Sequence, residues 1–313
     1  MAKQRGDATS GATLRDGLVV ASHGRHCLVE TPDRDRLICH PRGKKSHAVV
    51  GDRIQWQASE DEGTIEKVLP RKNLFYRQDE IRTKSFAANL DQVLILIAAE
   101  PEFSETQLTR ALIAAAAEHI TPIIALNKSD LGVPFERAWT RLAPYRRMGY
   151  QVVPLALTAA DQANRTTLAE VLSSKTTLVL GPSGAGKSTL INLLVPGATA
   201  LTGEISQALN SGKHTTTSTT WYWMDKARTT ALIDSPGFQE FGLHHLAAMQ
   251  LAQLMPDIAE HATDCKFYNC THLHEPGCGV IAEVKSISHP GEISAPRYRI
   301  YRELFAELSQ SRY

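Results

Sequence analysis

The sequence has no long apolar run. Its longest, residues 93–99 and 111–117, fall far short of the roughly 20 residues a helix needs to cross a bilayer. No apolar stretch follows Met1-Ala2-Lys3-Gln4-Arg5-Gly6, so neither a membrane span nor a secretory leader is expected. Net charge is nearly absent too: 34 Lys and Arg against 33 Asp and Glu leave +1, which gives no global field for drawing in nucleic acid. Cysteine is scarce and odd in number, five in 313 residues. That argues against a disulfide framework and fits a reducing cytoplasm. An apolar content of 42% and a charged content of 21% describe a soluble globular chain, long enough for two or three domains. Charge is unevenly spread: residues 1–50 hold nine Lys/Arg against five Asp/Glu, and residues 71–84 hold five against two. Basic flanks of this kind suit an RNA-facing surface, although such small excesses also describe ordinary solvated faces.

What is present centres on Gly181-Pro182-Ser183-Gly184-Ala185-Gly186-Lys187-Ser188-Thr189. It follows a buried-strand pattern over 176–180 and opens a predicted helix over 187–194, the context that G-x-x-x-x-G-K-[ST] requires. The glycines let main-chain N–H groups turn inward on phosphate oxygens, and the helix N-terminus adds partial positive charge. Lys187 is expected on the β- and γ-phosphates and Ser188 on Mg²⁺.

Asn127-Lys128-Ser129-Asp130, after a strand pattern over 121–126, selects the base. A carboxylate only accepts hydrogen bonds. Guanine offers it N1–H and the 2-amino group, whereas adenine would set an acceptor against it, and a polar group left unpaired discriminates strongly. Asp130 therefore chooses guanine, Asn127 bonds the base with its amide, and the Lys128 stem covers the ring. Asp234-Ser235-Pro236-Gly237 ends a strand pattern over 229–233. Asp234 is expected to hold Mg²⁺ through water and the Gly237 N–H to meet the γ-phosphate; the plainer reading is a turn after a strand. In an ordinary GTPase the phosphate loop comes first and N-K-x-D last. Here Asn127 precedes Gly181, which precedes Asp234, so the order is circularly permuted. Permutation is tolerated because a site depends on where strands lie and not on which ends are joined.

Residues 1–10 are expected to be disordered. Five short strand patterns, over 17–21, 26–30, 36–40, 52–57 and 63–69, predict a small barrel of the OB type, with Arg42, Lys44 and Lys45 in a loop able to meet phosphates. Residues 71–90 form a basic connector whose Phe75 and Tyr76 pack between domains. Strands over 93–99, 121–126 and 151–155, a helix over 105–118 capped by Ser104, and a helix over 134–147 complete an α/β unit. Leu155-Ala156-Leu157-Thr158 occupies the place of the loop whose backbone N–H meets guanine O6.

The first switch is placed at Ser211-Gly212-Lys213-His214-Thr215-Thr216-Thr217, with Thr216 chosen to ligand Mg²⁺. Phe238 follows Asp-Ser-Pro-Gly where Ras-like enzymes carry a water-orienting glutamine. Intrinsic hydrolysis should be slow, and His214 is the candidate to position the water. Cys265, Cys270, His272 and Cys278 lie within fourteen residues, a Cys₃His set for one structural zinc with no position left for water; His274 competes with His272, and His261 is a weaker choice. A helix over 296–309 should expose Arg297, Arg299 and Arg302.

Together, the permuted motifs, the N-terminal barrel, His214-Thr215-Thr216-Thr217, Phe75–Arg77, Ala88-Asn89-Leu90-Asp91 and the cysteine set resemble the ribosome small-subunit-dependent GTPase A family. The resemblance implies a cytoplasmic, monomeric, late-acting bacterial factor that binds the 30S subunit and its 16S rRNA and helps the subunit mature. It implies slow GTP hydrolysis alone and faster hydrolysis on the 30S, one structural Zn²⁺, Mg²⁺ with GTP, and His214 as the switch histidine. The expected division is a tail over 1–10, an RNA-binding OB-fold over 11–70, a connector over 71–90, a permuted P-loop GTPase domain over 91–242 and a mainly helical zinc-binding domain over 243–313. The competing readings are a GTP-sensing RNA-binding module without significant catalysis and a small-molecule kinase, the latter opposed by N-K-x-D.

Overall fold

The computed structural model describes residues 13–23, 26–43, 47–59, 62–158, 162–198, 201, 219–236, 241–285 and 292–310. Alternating apolar residues with β-branched and aromatic types form five N-terminal strands: β1 (Arg15–His23), β2 (His26–Glu30), β3 (Arg36–Pro41), β4 (Arg53–Ala58) and β5 (Gly63–Val68). Their order is β1-β2-β3-β5-β4, and β4 closes back on β1. Only the β3–β5 pairing is parallel. This is the five-stranded barrel expected of an OB-fold. Its interior is filled by Val19, Cys27, Val29, Cys39, Ile54, Trp56 and Ile65.

Strand β1 runs longer than the sequence pattern indicates. The register shifts between Val19 and Ala21, and a bulge of this kind bends a strand and re-aims its end. The first half of β1 pairs with β4 inside the barrel, and its far end, Ala21 and Ser22, pairs with a strand outside it.

The connector is a hairpin of β6 (Leu74–Gln78) and β7 (Thr83–Ala88). Phe75 is fully buried, with its ring 5.8 Å from Phe86 and 5.5 Å from Phe241. The Tyr76 ring lies 4.5 Å from His245. Both aromatics thus pack between units, as their sequence context indicates.

The α/β unit follows: β8 (Gln92–Ala98), α1 (Glu105–Ala117), β9 (Thr121–Asn127), α2 (Val133–Arg141), α3 (Ala143–Arg147), β10 (Gln151–Pro154), α4 (Gln162–Leu172), β11 (Thr176–Leu180), α5 (Lys187–Leu194), β12 (Thr219–Trp223) and β13 (Ala231–Asp234). Strand order is β10-β9-β8-β11-β13-β12, parallel except for β12. β8 is buried at every residue, as a strand covered on both faces should be. Ser104 caps α1 by accepting from the Gln107 N–H.

The single helix expected over 134–147 is two helices, because Pro144 has no N–H to continue the ladder and Leu142 turns the chain at ψ 0°. β12 pairs antiparallel with β13 on one side and with β1 on the other. Barrel and α/β unit therefore share one eleven-stranded sheet.

The C-terminal segment contains α6 (Pro256–Ala262), α7 (Gly279–Ala282) and α8 (Ala295–Leu308). Helix α8 buries Ile300, Tyr301, Leu304 and Phe305 at the spacing of one helical face. Arg299 and Arg302 are exposed, but Arg297 is not: it is 2% exposed. Its Nε and Nη2 donate to the two Asp257 carboxylate oxygens, both at 2.8 Å, and Nη1 donates to Thr109 Oγ1 at 2.7 Å. A guanidinium so paired tolerates burial, since fixed acceptors take the place of water. No helix among the described residues is long and apolar enough to cross a membrane.

Candidate nucleotide site and metal centre

In a parallel sheet, loops after the strands gather at their C-terminal edge. Three sequence motifs leave this sheet there. Asn127 ends β9, Gly181 follows β11, and Asp234 ends β13; β8 separates β9 from β11. The permuted order is thereby undone in space.

Asn127 joins two motifs directly. Its Nδ2 donates to the Ala185 carbonyl of the phosphate loop at 2.9 Å, and its Oδ1 accepts from the Leu157 N–H at 3.1 Å. Close approach is possible because Gly186, at φ +100°, has no Cβ; one would collide with Asn127 Nδ2. Lys128 sits in the left-handed region and its Nζ donates to the Glu100 carbonyl. The Ser129 N–H donates to the Leu155 carbonyl at 2.9 Å. Asp130 lies on a short 3₁₀ turn, Ser129–Leu131, and is exposed, so its carboxylate is open to a base.

Helix α5 begins at Lys187, with Gly186 as its cap. Ser188 and Thr189 are exposed in its first turn, beside Ser183 and Gly184 of the loop, while Gly181 and Ala185 are buried and Pro182 is half-buried. Lys187 Nζ is hydrogen-bonded to Asp234 Oδ1. The phosphate-loop cation and the carboxylate expected near Mg²⁺ thus face each other across the mouth of the site. Ser235 is buried, its hydroxyl donating to the Val179 carbonyl at 3.0 Å, which pins the start of the loop after β13. Gly237 and Phe238, the whole 211–217 segment with His214 and Thr216, and Lys44 and Lys45 lie outside the described residues.

Sequence reasoning missed a polar tie at the other end of β12 and β13, where Trp223 pairs with Ala231. Glu30, buried at the end of β2, accepts from Trp223 Nε1 at 2.8 Å and Arg228 Nη1 at 2.6 Å on one oxygen, and from Arg36 Nε at 3.1 Å on the other. It links the barrel to the β12–β13 hairpin. The available signal was the Thr219-Thr220-Trp221-Tyr222-Trp223 run, β-branched and aromatic throughout.

The second cluster lies in the C-terminal segment. One donor atom from each of Cys265, Cys270, His272 and Cys278 falls within 4.8 Å of every other, a group that could hold a metal ion. His272 Nδ1 lies 3.4 Å from Cys265 Sγ and 3.5 Å from Cys278 Sγ, and the two sulfurs are 3.8 Å apart. His272 takes φ +60°, a strained value for a non-glycine residue, and is buried; His274 is exposed. His261 instead faces Glu292 at 3.5 Å. Burial pushes the Cys270 thiol up to about 12, so a thiolate there calls for an adjacent cation. Tyr298 and Tyr301 donate their hydroxyls to the His272 and Thr271 carbonyls, at 2.8 and 2.9 Å, and so brace the loop against α8.

The family model described as RsgA GTPase matches residues 68–244. The chain is 80% identical over 309 residues to the small ribosomal subunit biogenesis GTPase RsgA of Variovorax paradoxus (strain S110), covering 99% of this chain and 97% of that one. It is 49% identical over 304 residues to the protein of the same name from Paraburkholderia xenovorans (strain LB400), covering 96% and 95%. Among solved structures it is similar to YjeQ from Thermotoga maritima, at 27% identity and TM-score 0.71 over 96% of this chain and all of that one. It is also similar to YloQ, a circularly permuted GTPase, at 26% identity and TM-score 0.69 over 99% of this chain and all of that one.

Proposed function

Because the chain belongs to the RsgA GTPase family, it is a GTPase that hydrolyses GTP, and we propose that it does so as a switch on the small ribosomal subunit during that subunit's biogenesis. The observation that carries this reading is the meeting of the three motifs at one sheet edge, with Asn127 bonded to Ala185 and Lys187 to Asp234.

The proposed roles follow from chemistry. Asn127, Lys128, Ser129 and Asp130 hold guanine. Residues Gly181 to Thr189 wrap the phosphates with main-chain amides. On nucleotide binding Lys187 leaves Asp234 for the β- and γ-phosphates. Ser188 and Thr216 would ligand Mg²⁺, with Asp234 behind a water and the Gly237 N–H on the γ-phosphate. Mg²⁺ supplies neutralisation of charge on the transferred phosphoryl. His214 positions the attacking water, since Phe238 offers no hydrogen bond. The zinc ion is assigned to Cys265, Cys270, His272 and Cys278. A tetrahedral zinc ion with donors at about 2.0–2.3 Å spaces them roughly 3.5–3.8 Å apart, and the measured separations of 3.4, 3.5 and 3.8 Å support that assignment. Its part is structural, fixing the loop that packs on α8.

We assign the barrel (11–70) and the zinc-binding unit (243–313) to contacts with 16S rRNA, flanking the connector (71–90) and the GTPase unit (91–242), in a cytoplasmic monomer. Continuity of the sheet through β1 and β12 supports nucleotide control of the barrel, since β12 directly follows the first-switch segment. The test is GTP turnover with and without purified small ribosomal subunits, over a range of salt. Subunits should raise the rate, toward the roughly 10³-fold or more that a transition-state contact supplied from outside can contribute, and the gain should fall as salt displaces phosphate contacts. Equal rates would remove the proposed dependence on the subunit.

A further inference from the structure

We propose that Asn164 is a positioning residue for guanine recognition, fixing the Ala156 main chain so that the 155–158 loop presents an amide to the base carbonyl at position 6. The proposal rests on the reading of that loop as guanine-binding. Asn164 stands in the first turn of α4 and is 8% exposed. Among the described residues its side-chain amide bonds one partner, Ala156. The Ala156 N–H donates to Asn164 Oδ1 at 3.3 Å, and Asn164 Nδ2 donates to the Ala156 carbonyl at 3.0 Å. These groups belong to the two peptide planes flanking Ala156, so both planes are held at once.

The loop needs such a clamp. Leu155, Ala156 and Leu157 have apolar side chains and cannot tie their own backbone down, as a serine hydroxyl would. Neighbouring groups are already committed: the Leu157 N–H donates to Asn127 Oδ1 and the Leu155 carbonyl accepts from Ser129. Thr158 is exposed, and its amide makes no hydrogen bond among the described residues. It is the donor left open to the base. An N–H fixed here donates to guanine O6 and opposes the 6-amino group of adenine, so it reinforces the choice that Asp130 makes at the neighbouring N1–H and 2-amino positions.

The test is binding of GDP, 6-thio-GDP and ADP to the full-length protein and its Asn164→Ala variant. Sulfur is the poorer acceptor, so the wild-type protein should lose affinity on the oxygen-to-sulfur change. In Asn164→Ala, GDP should bind roughly 5- to 20-fold more weakly, the worth of one to two neutral hydrogen bonds. The oxygen-to-sulfur penalty should shrink, and ADP affinity should not fall. A residue that merely starts α4 would weaken all three ligands in proportion and leave the penalty intact, and that result would overturn the proposal. Asn164→Asp keeps an acceptor for the Ala156 N–H but sets a carboxylate oxygen against the Ala156 carbonyl. It must shrink the penalty too, and it serves if the alanine variant does not fold. A wild-type protein with no preference for GDP over ADP, or no sulfur penalty, would overturn instead the reading of the loop itself.

Discussion

Gly242 lies against the Gln78 carbonyl oxygen, with no room for a Cβ between them. The contact is stitched on both sides: the Gln78 N–H donates to the Gly242 carbonyl at 3.1 Å and the His244 N–H donates to the Gln78 carbonyl at 3.0 Å. Chain leaving the site after β13 is thereby tied to the β6–β7 hairpin, and Arg110 extends the tie by donating to the Phe241 carbonyl at 3.1 Å and to Glu307 of α8.

Gly242→Ala should therefore force the two backbones apart. Overpacking of this kind costs about 1–3 kcal/mol, and thermal denaturation should show the lowered midpoint. An unchanged midpoint would mean that the hairpin and the segment after β13 are not bound as tightly as they lie.

The Arg110–Glu307 pair gives a pH dependence of known sign. Hydrogen bonding to Arg110 holds the Glu307 carboxyl below its ordinary value of 4.5. A carboxyl lowered in the folded state binds fewer protons there than when unfolded. Its contribution is thus fully present above the unfolded value and is lost as pH falls through the lower folded one. Arg110→Met should lower stability at pH 7, and the difference from wild type should narrow as the solution is acidified below about 4.5. Denaturant midpoints at pH 7 and pH 4 measure this; a gap that widens on acidification would contradict the assignment.

For the metal centre, elemental analysis should find one zinc ion per chain, and Cys270→Ser should release it. Chelation should lower the thermal midpoint of the wild-type protein and leave that of the serine variant unmoved. A chain that holds no zinc, or the same amount after substitution, would contradict the proposed ligand set.

The motifs were legible because each is local: fixed spacing, a strand before it and a turn or helix after. The α5 limits, the Ser104 cap and the strand cores at 121–126 and 176–180 follow from such short-range rules. The Cys265, Cys270, His272 and Cys278 group, with His272 preferred to His274, is read from spacing within one loop, and the structure gathers those four side chains at a left-handed turn on His272. Long-range pairing was hidden. Glu30 meets Trp223 at a separation of 193 residues, and nothing near either residue announces it. Arg297 read as a surface arginine because charge is the only local cue; Asp257 and Thr109, which make its burial tolerable, lie on other helices. Asn164 was passed over for the same reason, since its partner is a backbone that carries no sequence signal.

The central claim is that the permuted site holds guanine through the Asp130 carboxylate, and Asp130→Asn tests it most directly. An amide in that place can donate to a carbonyl at C2, which xanthine has and guanine lacks. Affinities of the two proteins for GDP and for xanthosine diphosphate should therefore cross: wild type prefers GDP, and the variant prefers the xanthine nucleotide by at least roughly tenfold, the scale of a charged or paired hydrogen bond gained and lost. A variant that kept the wild-type preference for GDP would contradict the account.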